Sequence, residues 1–155
     1  MGKWLLYLLL FALAGFIREY FFVNYNILLY YVYYPNMEPT HLSDFLKSFE
    51  DVPYATLYYL KYPFTLLWTL LFFLITHFTI KHLAGQPFLL RVNKLAYLLV
   101  LTLAGLSMLY GWLVNQRLDQ DEYTLSRWLM GIAQSPIICL ILLASEKLIQ
   151  KQSTL

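Results

Sequence analysis

The chain has 155 residues, of which 60% are hydrophobic and 13% carry a charge, and its mean hydropathy is +0.56. Soluble domains carry roughly 25% charged residues, so this composition excludes an ordinary soluble domain. A net charge of +2 without a basic cluster excludes the electrostatic footprint of nucleic-acid binding, and a single cysteine excludes an internal disulfide framework.

Apolar runs of about 20 residues, the length that crosses a hydrocarbon core of about 30 Å, occupy most of the chain. In chain order they predict four transmembrane helices, over residues 3–23, 63–80, 95–114 and 128–145. The predicted fold is therefore an all-α, four-helix transmembrane bundle, and we expect one integral membrane domain over residues 1–155.

The first apolar run has a second interpretation. Lys3, the short apolar stretch after it and Ala12-Leu13-Ala14 imitate the charged region, core and cleavage site of a secretory signal peptide. Hydrophobicity continues past that site to Ile17, which favours an uncleaved span.

A long outer loop is predicted over residues 24–62. Its first part, residues 24–34, is rich in tyrosine, whose amphipathic ring suits the headgroup level, so we place it along the membrane interface. Further on, four apolar residues recur at i, i+3, i+4 and i+7, namely Leu42, Phe45, Leu46 and Phe49. They predict a short amphipathic helix over residues 41–50, which either lies on the membrane or docks a partner.

The distribution of charge predicts the orientation. Alternate segments place six basic residues on one side of the membrane: Lys3, Lys81, Arg91, Lys94, Lys147 and Lys151. Eight of the nine carboxylates fall on the opposite side. Because basic residues in short loops are retained in the cytoplasm, we expect both termini to be cytoplasmic.

Small residues predict where the last two spans pack. They recur at helical spacing in the fourth span, as Gly131, Ser135 and Cys139, and in the third, as Ala104, Ser107 and Gly111. In lipid, close backbone approach drives helix association, so we interpret both sets as helix-packing ridges. A nucleophilic cysteine would need a neighbouring base, which favours packing as the role of Cys139.

Two groups of polar residues are candidates for interaction. Arg18 and Glu19 lie near the outer end of the first span, where such charges either extend into the headgroups or pair. Arg127 opens the fourth span on the same side, so it also either extends into the headgroups or, with Gln134 seven residues further on, forms a polar stripe that faces another protein or the neighbouring spans.

Ser135 and Pro136, the residues after Gln134, add to the predicted polar stripe. Pro136 removes a backbone hydrogen bond and can kink the helix, and the freed carbonyl then needs Ser135 or a neighbour as a partner. No metal, cofactor or nucleotide motif is evident, since the spacing of five between His77 and His82 fits one helix face poorly.

In this order, the motifs resemble those of the small integral membrane proteins associated with bacterial exosortases, particularly of the F and X types. The first span ends in Arg18-Glu19-Tyr20-Phe21-Phe22, a tyrosine-rich segment follows, and the last span opens with Arg127-Trp128-Leu129 and carries Gln134-Ser135-Pro136. In that family the last span often begins with two arginines and has glutamine directly before proline, whereas Ser126 precedes Arg127 here and Ser135 intervenes.

The resemblance implies a multi-pass protein of the bacterial inner membrane, in contact with membrane lipid, that is a non-enzymatic companion of an exosortase-type transpeptidase in protein sorting. One alternative is a small intramembrane enzyme that uses Arg18, Glu19, Arg127 and His41 on a lipid-linked or peptide substrate. Another is a small transporter subunit, which would need polar stripes in several spans, and the second and third spans show almost none.

Overall fold

The computed structural model describes residues 2–34, 43–115 and 124–152. These residues form six α-helices and no strand, which confirms the all-α fold. In chain order the helices are α1 (Gly2–Tyr33), α2 (Asp44–Lys47), α3 (Tyr54–Leu83), α4 (Pro87–Asn115), α5 (Thr124–Ala133) and α6 (Ile137–Gln152).

The length and apolar character of its helices indicate that the protein is embedded in a membrane. Three segments are long and apolar enough to cross a bilayer: Gly2–Tyr33, Tyr54–Leu83 and Pro87–Gly111. A fourth span arises if the bent pair of Leu125–Ala133 and Ile137–Leu148 counts as one.

Helices replace much of the predicted outer loop. Residues 24–33 continue α1 and residues 54–62 begin α3, so the loop prediction over 24–62 was wrong for both parts. The physical reason is that their polar groups bond between the two helices. The Tyr25 hydroxyl donates to the Leu57 carbonyl at 2.7 Å, and the Lys61 ammonium donates to Asn26 Oδ1 at 2.8 Å.

The predicted amphipathic helix over residues 41–50 is not confirmed. Only α2 is helical there, residues 41 and 42 lie outside the described residues, and residues 48–51 form turns. Of the apolar stripe, Leu46 is buried in a core, whereas Phe45 and Phe49 are exposed. The described part of the stripe therefore does not share one buried face.

The fourth span is broken rather than straight. The axes of its two halves differ by 60°, with Gln134, Ser135 and Pro136 between them. Pro136 lacks the N–H that would continue the helical bonds, and its ring disfavours the helical conformation of the preceding turn. The Ser135 hydroxyl donates to the Ile132 carbonyl at 2.8 Å and accepts from the Ile137 N–H at 3.3 Å, so one side chain bonds to both sides of the break.

Two compact units make up the chain. We call Ala12–Trp68 the aromatic unit, because rings such as Phe21, Tyr25 and Phe64 surround its core. The other unit comprises Met1–Phe11 and Thr69–Leu155, and we call it the threonine unit after the buried threonines of α3. A single integral membrane domain over residues 1–155 stays a prediction.

Candidate functional site

Three buried threonines form a row along α3. Thr69 and Thr76 are seven residues, or about two turns, apart, and Thr79 lies on the next turn of the same face. We call these residues the threonine row. A hydroxyl buried in an apolar setting needs a hydrogen-bond partner, so the row needs partners within the protein.

Gln134 bonds to the first residue of the row. Its amide nitrogen Nε2 donates to Thr69 Oγ1 at 2.9 Å, and the Gln134 side chain is only 4% exposed. The break after α5 places this side chain beside α3 instead of leaving it in a regular helix. The interaction joins residues that are 65 positions apart in the chain.

The other two threonines bond to α4 and α6. Thr76 Oγ1 lies 3.2 Å from the Tyr97 hydroxyl, and the Cys139 thiol hydrogen-bonds to Thr79. Thr79 also donates its hydroxyl hydrogen to the Ile75 carbonyl at 2.7 Å. Each threonine of the row therefore binds a neutral polar side chain from a different part of the threonine unit.

The structure separates the two residues of the predicted polar stripe. Gln134 faces a neighbouring span through Thr69, whereas Arg127 is exposed on α5, between the exposed side chains of Leu125 and Trp128. The stripe was predicted to face another protein or the neighbouring spans. Gln134 faces a neighbouring span, and Arg127 lies on the surface.

Arg18 and Glu19 belong to the aromatic unit. Arg18 Nη1 lies 3.3 Å from Glu19 Oε2, and the guanidinium also lies over the Phe22 ring, 5.5 Å from its centroid. Glu19 is largely exposed. The pair thus combines an ion pair and a cation–π contact on one face of α1.

The ridge of Gly131, Ser135 and Cys139 is interrupted. A step of four residues makes one ridge only on a continuous helix, and the break at Pro136 removes that continuity. Cys139 is buried, whereas Gly131 and Ser135 are half-buried. A Cβ atom added at Gly131 would meet no described atom within 4 Å, so this glycine does not mark a close approach of two backbones.

The three small residues of α4 agree more closely with the predicted helix-packing ridge. Ala104 and Gly111 are buried and Ser107 is half-buried, and α4 packs against both α5 and α6. A Cβ at Gly111 would nevertheless meet nothing within 4 Å among the described residues. Ordinary side-chain packing therefore accounts for this interface, without a glycine contact.

Sequence reasoning missed the threonine row, so the statement that the second span carries almost no polar stripe was wrong, whereas the predicted third span, residues 95–114, contributes Tyr97 to the network. These spans correspond to α3 and α4, which supply the row and Tyr97. Asn93 of α4 is also fully buried. The spacing of seven between Thr69 and Thr76 was the available signal, but threonine is mild enough on hydropathy scales to pass as part of an apolar run.

The described residues contain no group of three or more His, Cys, Asp or Glu side chains that could hold a metal ion. His77 packs against the ring of Phe73, and His82 Nδ1 hydrogen-bonds to the Tyr7 hydroxyl. His41, which the enzyme alternative uses, lies outside the described residues.

The described geometry offers an internal network of neutral polar side chains and exposed charges. Comparison with known proteins adds no assignment: no model of a protein family, no curated protein and no solved structure matches this chain.

Proposed function

We propose that this protein is a non-enzymatic accessory subunit of the bacterial inner membrane, with both termini in the cytoplasm, which binds another membrane protein. The resemblance of its motifs indicates an exosortase-type transpeptidase as the partner, in a system that sorts exported proteins. The single observation that supports this proposal is the exposure of Arg127 on an apolar helix.

Arg127 differs from the buried polar residues of the same unit. Gln134 and Cys139 bond within the chain, so these side chains maintain the fold. Arg127 is a charged residue on the surface, flanked by two exposed apolar side chains, Leu125 and Trp128. A guanidinium in that setting can bind a carboxylate of a second protein through two parallel hydrogen bonds, and the aromatic neighbour adds contact area.

A conservative substitution tests this role. Arg127→Lys keeps the charge and still reaches the headgroups, but it cannot reproduce the planar, bidentate contact. We expect Arg127→Lys to lower co-purification of the membrane partner severalfold without changing the amount of this protein in the membrane. Arg91→Lys is the matched control, because Arg91 is also exposed and the chemical change is identical.

Two results would contradict the proposal. Equal recovery of the partner with wild type, Arg127→Lys and Arg91→Lys would remove the role of Arg127. Turnover of a lipid-linked or peptide substrate by the purified protein alone, abolished by Arg127→Lys, would favour the enzyme alternative.

The proposed orientation has its own test. A cysteine introduced at Ser48, which is exposed, should react with an impermeant thiol reagent added outside intact cells, whereas one introduced at Gln86 should not. Both are made in a Cys139→Ala background, because Cys139 is the only native cysteine. Labelling at Gln86 from outside would reverse the topology.

The threonine row favours a second candidate function, a small transporter subunit, because polar side chains from several helices lie in the interior of the threonine unit. The native cysteine discriminates the two functions. Reaction of Cys139 with a small water-soluble methanethiosulfonate in native membranes would favour a water-filled pathway along the row. Protection of Cys139 is expected for the accessory subunit, since the thiol is buried and bonded to Thr79.

A further inference from the structure

Asn93 and His77 carry buried polar atoms that no described residue satisfies. The Asn93 side chain is fully buried, and neither its Oδ1 nor its Nδ2 has a hydrogen-bond partner among residues 2–34, 43–115 and 124–152. The same holds for Nδ1 of His77. Buried polar groups of native proteins almost always bind another protein group or an ordered water molecule.

These two residues lie at the same level of the α3–α4 pair. The rings of Phe73 and Tyr97 pack edge to face, with their centroids 5.2 Å apart, so these residues lie side by side. Only three residues, 84–86, join α3 to α4, so the helices run antiparallel. His77 lies four residues after Phe73 and Asn93 four residues before Tyr97, which places both about 6 Å along the helix axes from that contact, in the same direction.

The chemistry of the unsatisfied atoms defines the ligand they would bind. The Asn93 amide offers two donor hydrogens and an acceptor oxygen, and His77 Nδ1 is a donor or an acceptor according to its tautomer. Neither group brings a fixed charge, and the described residues hold no metal-binding cluster. A ligand for this pair is therefore neutral, small, and able both to donate and to accept hydrogen bonds.

We propose that the Asn93 amide and His77 Nδ1 together bind one buried water molecule between α3 and α4. Tyr97 lies one turn from this site, and its hydroxyl contacts Thr76. A bound water next to Asn93 therefore lies at the edge of the threonine row. The site is independent of the exposed Arg127 on which the proposed accessory function rests.

Hydroxyl-radical footprinting of the purified protein tests the site directly, because radicals formed from a bound water oxidise the side chains beside it. Tyr25 is the matched control for Tyr97. Both are tyrosines and both are 3% exposed, but the Tyr25 hydroxyl donates to a backbone carbonyl. We expect Tyr97 to oxidise severalfold faster than Tyr25. Equal rates for the two tyrosines would overturn the proposal.

Substitutions at the site supply a second test of the bound water. With a bound water, Asn93→Leu should reduce Tyr97 oxidation to the Tyr25 rate and lower the melting temperature by several degrees. If the amide were unsatisfied, leucine would relieve its desolvation and raise the melting temperature, which contradicts the proposal. Reaction of Cys139 with a thiol-reactive dye on heating reports the melting temperature, because that only cysteine is buried.

His77→Phe keeps an aromatic ring beside Phe73 and removes Nδ1. It should also reduce Tyr97 oxidation, and its effect on melting should be smaller in the Asn93→Leu background than alone, because both residues share one ligand. Additive melting shifts with unchanged Tyr97 oxidation would contradict a shared site. If Asn93→Leu does not fold, the wild-type tyrosine rates and His77→Phe decide the question.

Discussion

The aromatic unit and the threonine unit form the hydrogen bonds of their buried polar side chains in different ways. Both contain polar side chains in apolar helices. In the aromatic unit the Tyr25 hydroxyl bonds to a backbone carbonyl, that of Leu57, and rings fill the surrounding space. In the threonine unit Thr69 bonds to the side chain of Gln134. A carbonyl is present whatever the residue, whereas a side-chain pair exists only if both residues are correct.

The difference teaches which unit depends on residue identity. Packing of rings and leucines stabilises the aromatic unit. Its free energy of unfolding should therefore fall with the buried volume that a substitution removes. Pairs of specific side chains stabilise the threonine unit. The effects of substituting the two partners of a pair should therefore be coupled. The expected effects below run from the loss of buried volume to a single surface ion pair.

Leu57→Ala should have the largest effect. Leu57 is fully buried in the core of the aromatic unit, and loss of a buried leucine costs about 2–5 kcal/mol of unfolding free energy. Leu66→Ala is the control, because Leu66 lies on the same helix but is 55% exposed. Unfolding in mixed micelles with increasing sodium dodecyl sulfate measures both. Equal losses would mean that Leu57 is not in a packed core.

Cys139→Leu should have the next largest effect. Cys139 is buried and packs beside Thr79, so the larger leucine overfills the site and costs about 1–3 kcal/mol of unfolding free energy. Cys139→Ala should cost no more than about 1 kcal/mol and leave partner binding intact. Loss of function in Cys139→Ala at normal membrane abundance would indicate a chemical role for the thiol.

Removal of one hydroxyl compares the two units directly. Tyr25→Phe should cost about 1 kcal/mol of unfolding free energy, the usual net value of one hydrogen bond. Tyr97→Phe should cost at least as much, because it removes the side-chain partner of the buried Thr76 hydroxyl. The same titration measures both variants. A clearly smaller loss in Tyr97→Phe would mean that the Thr76–Tyr97 pair contributes little to the threonine unit.

The smallest effect concerns Asp44 and Lys47 of α2, which form an exposed ion pair at 2.6 Å. The hydrogen bond from Lys47 lowers the pKa of Asp44 below its usual value. A folded-state pKa below the unfolded one stabilises the fold at higher pH, and that contribution disappears as the pH falls through the folded-state pKa. An NMR titration should show the Asp44 pKa rising in Lys47→Met. No change would mean that the pair does not form in solution.

Composition and periodicity were sufficient to predict the fold class. Long apolar runs predicted helices that span a membrane, and three such helices are present among the described residues. The proline in the last span predicted a kink at Pro136, where the structure has a complete break. These features are local, because a run length or a missing N–H acts within a few residues.

The internal contacts could not be predicted in the same way. Gln134 and Thr69 are 65 residues apart, and nothing in either local sequence names the other. Asn93 stands beside Lys94, just before the predicted third span, and nothing in the local sequence indicates that it is fully buried. The tyrosines of residues 24–34 suited an interface by composition, but cross-helix bonds such as that of Tyr25 keep the segment helical.

A double-mutant cycle on Thr69 and Gln134 tests the central claim, that specific side-chain pairs hold the threonine unit together. Thr69→Val, Gln134→Leu and the double variant are unfolded by the same titration. We expect a coupling energy of about 0.6 kcal/mol, the average found for hydrogen bonds between membrane helices, and at most about 1.7 kcal/mol, with the double variant less destabilised than the sum of the single ones. Additive losses, with zero coupling, would contradict the account.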